Sequence, residues 1–181
     1  MNTIPDYKDK IQAIKNYLVA NRSDNEGDSW IFGHHPNIEE SLKTFTKEES
    51  ENIGKEILNW EEPEQYNIAD PISDSKNKFI DGNYLYGKIF LSIQDFEKLE
   101  YLIQNLVVIV WDCDFKRPIE FYESILMKTK TLNKKLNNGY VSLISSIEDK
   151  IKKEKADNKW WWCQIGYRQI RHISQIRYES V

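Results

Sequence analysis

The chain has 181 residues and a mass of 21.6 kDa, a length that suits one domain with a real core. Seven Gly, five Pro and two Cys exclude a collagen-like or low-complexity chain and a disulfide framework, and they weigh against a turn-rich β-sandwich or barrel. The net charge of −4 hides a split: residues 1–112 carry 11 basic and 21 acidic side chains, and residues 113–181 carry 14 and 8, so an acidic part precedes a basic one.

Met1 to Asp6 has no basic-then-apolar pattern, so no signal peptide is expected and the chain reads as soluble and cytoplasmic. Tyr7, Ile11, Ile14 and Leu18 collect on one face of a helix over about 5–22, with Pro5 and Asp6 suited to its first turn. Residues 23–28 are a loop by composition. Trp30-Ile31-Phe32 reads as an apolar anchor, and Gly33-His34-His35-Pro36-Asn37 reads as a second break.

Ile38, Leu42 and Phe45 recur at helical spacing. Thr46-Lys47-Glu48-Glu49 has the form of a capping box, which predicts a helix from Thr46 to Trp60 with Ile53 and Ile57 inward. Pro63 opens the next helix, and Pro71 is expected to limit its length. Asp81-Gly82-Asn83 is a turn signal, followed by a short helix carrying Tyr84, Leu85, Ile89 and Phe90.

Phe96, Leu99, Ile103, Leu106 and Val110 follow at intervals of three and four, predicting one long helix over about 94–110 with a single buried stripe. The run Val107–Val110 would be central and buried. The competing reading ends the helix near Asn105 and makes Leu106–Trp111 a buried strand in an α/β fold, because β-branched residues favour strands. Even this longest apolar run is far too short to span a membrane. Pro118 opens a helix with Phe121, Tyr122, Ile125, Leu126 and Leu132 inside, Asn137-Asn138-Gly139 closes it, and Leu143, Ile147 and Ile151 mark a helix over about 140–154. Trp160–Trp162 begins a last element with Ile165, Ile173 and Ile176. The expectation is an all-α chain of seven or eight helices, a single domain over 1–181 built as a bundle or an array of helical pairs.

Three constellations carry possible chemistry. Asp112 and Asp114 form an Asp-x-Asp pair after an apolar run, and at a strand end they would hold Mg²⁺ through hard oxygen ligands. The pair looks like the metal motif of haloacid-dehalogenase-type phosphatases or of some glycosyltransferases, but Phe115-Lys116 stands where a small residue belongs. His34-His35 near Glu39 and Glu40 lacks the four-residue spacing of helical zinc pairs. Arg168 and His172 resemble the Arg-to-His motif of all-helical HEPN ribonucleases, in which His works as acid or base beside an Arg that steadies a phosphate; three residues separate the pair here, against four to six in that family. Cys163 beside three Trp reads as core, since apolar surroundings raise a thiol's pKa.

The stretches Ile57-Leu58-Asn59-Trp60-Glu61-Glu62, Tyr66-Asn67-Ile68-Ala69-Asp70 and Tyr84-Leu85-Tyr86-Gly87-Lys88-Ile89-Phe90 resemble small helical immunity proteins of bacterial antagonism systems. That resemblance implies a cytoplasmic, non-catalytic protein that binds and neutralises a cognate protein toxin through an acidic face. It implies no cofactor; no metal, no nucleic acid and no membrane are expected either, and the chain is expected as a monomer or 1:1 heterodimer. On helical projection, Glu49 and Glu56 flank the core, which leaves Glu48, Glu51, Glu61 and Glu62 to meet a basic partner.

Overall fold

A computed structural model describes residues 9–22, 27–111 and 115–156. Among them every regular element is helical, so the all-α expectation holds and the buried-strand alternative for Leu106–Trp111 does not. The chain divides into two compact units, residues 1–116 and 117–181.

The first unit begins with α1 (Lys10–Ala20), capped by the Asp9 carboxylate, which accepts from the Gln12 amide at 3.0 Å. Its buried face is Ala13, Ile14, Tyr17 and Leu18. Ile11, expected inward, is only half-buried, because the buried face centres on Ala13, Ile14, Tyr17 and Leu18 and leaves Ile11 at its edge. Tyr7, Pro5 and Asp6 lie outside the described residues.

The break expected around Gly33–Asn37 is absent. A helix runs on from α2 (Gly27–Ser29) through a π-helical turn (Trp30–His34) into α3 (His35–Lys43). Pro36 explains the wide turn: its ring has no N–H and would clash with a carbonyl one turn back, and the i→i+5 bond from the His35 amide to the Trp30 carbonyl reroutes the ladder. The expected apolar anchor is corrected as well. Ile31 and Phe32 are 57% and 70% exposed, since the π turn directs them outward, and only Trp30 is partly covered. Ile38, Leu42 and Phe45 are buried as their spacing requires.

α4 (Lys47–Glu56) starts from the anticipated capping box: Thr46 Oγ1 accepts from the Glu49 amide at 3.3 Å, and Glu49 accepts from the Thr46 amide at 2.7 Å. A 3₁₀ turn (Ile57–Asn59) replaces the α-helical end foreseen at Trp60. α5 (Glu62–Ser73) has Pro63 in its first turn and runs two residues past Pro71, which sits in the last turn and removes a single internal bond. α6 (Gly82–Ser92) packs most extensively against α5. The approach is tight at Gly82, where a Cβ would stand 2.9 Å from the Ile72 carbonyl carbon and closer still to its oxygen.

The long helix foreseen over 94–110 is broken. α7 (Phe96–Asn105) ends at Leu106, and α8 (Val107–Trp111) follows. Leu99, Leu102, Ile103, Leu106 and Ile109 form the buried face. Val107 and Val108 are 39–40% exposed and Val110 is half-buried, because the break at Leu106 turns α8 away from the α7 stripe; Phe96, at the first position of α7, is 38% exposed.

The described part of the second unit, residues 117–156, is a helical hairpin. α9 (Ile119–Lys135) follows Pro118 and buries Phe121, Tyr122, Ile125 and Leu132, with Leu126 half-buried. Asn137 and Asn138 turn the chain with φ of 51° and 62°, the left-handed region that Asn tolerates. α10 (141–156) buries Leu143, Ile147 and Ile151.

Candidate functional site

Secondary structure alone does not account for the buried polar side chains of the first unit. Asn77 sits in the α5–α6 connection and donates to the Leu42 and Phe45 carbonyls, both at 2.9 Å. It closes the C-terminal end of α3, whose last carbonyls lack helical donors. Gln65 donates to the Trp60 carbonyl at 2.9 Å and accepts from the Ser92 hydroxyl. Glu64 is buried and takes the Arg22 guanidinium at 2.7 Å through Nε.

The four carboxylates expected to meet a partner fall into two classes. Glu48 and Glu51 are exposed on α4, with Glu51 3.8 Å from Lys47 across one turn. Glu61 is also exposed and receives Arg22 Nη2 at 3.0 Å. Glu62 is held inward. It accepts from the Gln94 and Asp95 amides at 2.9 and 3.3 Å and from Lys98 Nζ at 3.4 Å, so it fastens the α6–α7 connection to the start of α5. Glu49 spends its charge on its own cap and on Lys10 at 3.3 Å. The Thr46 amide and the Lys10 ammonium hold its carboxyl below the usual range.

His34 and His35 point to different partners. His34 Nδ1 lies 2.8 Å from the Tyr17 hydroxyl, and His35 Nε2 lies 3.3 Å from Asp74. Burial raises the Asp74 carboxyl above its ordinary value, with His35 drawing it back down. Among the described residues no group of three or more His, Cys, Asp or Glu side chains gathers as a metal site. Asp112, Asp114, Cys163, Arg168, His172, Trp160–Trp162 and the last element with Ile165, Ile173 and Ile176 lie outside the described residues. Among those described, no helix is long and apolar enough to cross a membrane.

Two concave regions mark the first unit. A polar groove of about 640 Å³ runs between α1 and α4, with Lys10, Lys15, Glu49, Asn52 and Glu56 on its walls and Trp60 at its base. A smaller cleft of about 270 Å³ is lined by Trp30, Ile31, Tyr66, Asn67, Asp70 and Tyr101, with the Gly27 backbone at its rim. The Tyr66 and Tyr101 rings meet edge to face, centroids 5.8 Å apart. Tyr101 donates to Asp70 Oδ2 at 2.8 Å, and Asn105 donates to Oδ1 at 3.4 Å. Burial, then the bond to Asp70, holds the Tyr101 phenol above its ordinary pKa, so it stays a neutral donor.

Sequence reasoning missed this cleft. Tyr66 and Asp70, four apart on α5, share a helical face and were a usable signal. Trp30 and Tyr101 reach them only through the fold. Comparison of the chain with family models, curated proteins and solved structures finds no match.

Proposed function

We propose that the protein is an immunity-type inhibitor: it binds a basic protein toxin through the acidic surface of its first unit and performs no catalysis. The observation that carries this reading is the placement of charge. Residues 1–116 hold 12 basic and 22 acidic side chains. Glu48 and Glu51 of α4, and Glu61 just before α5, stand exposed rather than spent in the core. Exposed carboxylates on a rigid helical scaffold raise the encounter rate with a cationic protein, and their pull weakens as salt screens it. Glu48, Glu51 and Glu61 are the contact side chains in this proposal, and Glu62 supports the scaffold.

The test is protection. The chain is co-expressed with the product of the neighbouring upstream gene in a sensitive host. Survival that depends on this chain, and a 1:1 complex of the two purified proteins, support the reading. Killing undiminished by the chain, with no complex at micromolar concentration, overturns it.

A further inference from the structure

We propose that the cleft between the π turn, α5 and α7 is a binding site for a protonated alkylamine, independent of the toxin-binding surface. Three features converge on that chemistry. First, Trp30, Tyr66 and Tyr101 present aromatic surface around one small space, and aromatic faces attract organic cations through their quadrupole. Second, the one charged lining side chain among the described residues is a carboxylate, Asp70. Its hydrogen-bond partners among the described residues, Tyr101 and Asn105, are both neutral, so its charge is not compensated by them. Each carboxylate oxygen accepts two bonds, so room remains on both for a further donor.

Third, Asn67 lines the cleft and is more than nine-tenths buried, so the cleft reaches down to the core side of α5. A primary ammonium has three N–H donors to offer the two Asp70 oxygens; a quaternary ammonium has none. Size agrees: about 270 Å³ is just under the range of roughly 300–1,000 Å³ for drug-sized ligands and suits a four-carbon alkylammonium.

The same ammonium is carried by a free small amine and by a lysine side chain, and one titration separates them. The full-length ¹⁵N-labelled chain is titrated with n-butylammonium chloride, with n-butanol as the neutral isostere, and with Nα-acetyl-lysine N-methylamide beside its Nε-acetylated form. The expected result is saturable shifts of the Trp30 indole N–H and the Asn67 side-chain amide with the two charged probes only. Tighter binding of the lysine derivative than of butylammonium assigns the site to a lysine on another chain, and weaker binding assigns it to a free amine; both support the site. Asp70→Asn, which keeps the acceptor for Asn105, should weaken binding about tenfold or more, and Tyr66→Leu by about three- to tenfold. Equal shifts from charged and neutral probes would overturn the proposal. So would unchanged affinity in both variants with spectra of folded protein.

Discussion

The first unit and the hairpin of α9 and α10 reach stability by different means. The hairpin is a periodic apolar seam with ion pairs on its outside: Lys130 meets Glu148 and Lys155 meets Glu123, each at 2.6 Å and each largely exposed. The hairpin's buried Asn133 clasps only its own turn, through Asn138 and Tyr140, whereas the polar clasps of the first unit join residues far apart in sequence. Asn77 holds α3 from 32 and 35 positions away, and Arg22 reaches Glu64 across 42. Exposed ion pairs contribute little, whereas a buried clasp leaves orphaned partners when it is removed. The first unit therefore has more single positions at which one polar substitution is costly.

The apolar seams set the upper limit of that comparison. Phe90 is fully buried in α6, and Phe90→Ala should cost about 3–5 kcal/mol in urea unfolding. Gly82→Ala pushes a methyl into the Ile72 carbonyl and should cost about 3 kcal/mol, an overpacking effect that a longer side chain would worsen. A loss below about 1 kcal/mol there would mean that α5 and α6 can slide apart at no cost.

The polar comparison comes next. Asn77→Ala removes a buried donor to the Leu42 and Phe45 carbonyls and an acceptor for the Phe79 amide and should cost about 2 kcal/mol, while Lys130→Ala in the hairpin should cost at most about 0.5. Equal losses would erase the distinction between the units.

What the sequence made legible follows the same line. Periodicity found Ile38, Leu42 and Phe45, the Pro118 start, and Leu143, Ile147 and Ile151, because local spacing alone dictates those faces. The capping box at Thr46 was readable because its partners lie three residues apart. Asn77, Gln65 and the inward Glu62 were not readable, because a polar residue's burial is decided by distant carbonyls and amides. The break at Leu106 was hidden for a related reason. The spacing of three and four continues through it, and only packing separates α7 from α8.

The pH dependence is a smaller effect. Glu49 has its carboxyl held below the ordinary value of 4.5, so its contribution is present above that value and is lost as pH falls through the lower folded-state value. Glu49→Gln should flatten that part of the acid limb of stability, read as urea midpoints between about pH 5 and pH 2. An acid limb identical to that of the unmodified chain would remove the cap and Lys10 from the account.

The proposed inhibitor surface stands or falls on association kinetics with the basic partner. Glu48→Lys, Glu51→Lys and Glu61→Lys are combined in one variant, and the association rate is followed from about 0.05 to 0.5 M salt. The exposed positions should leave the fold intact, with changes of about 0.5 kcal/mol or less each. The account predicts a markedly slower association at low salt and a flattened salt dependence, with dissociation little changed. Association as fast and as salt-sensitive as that of the unmodified chain would contradict it.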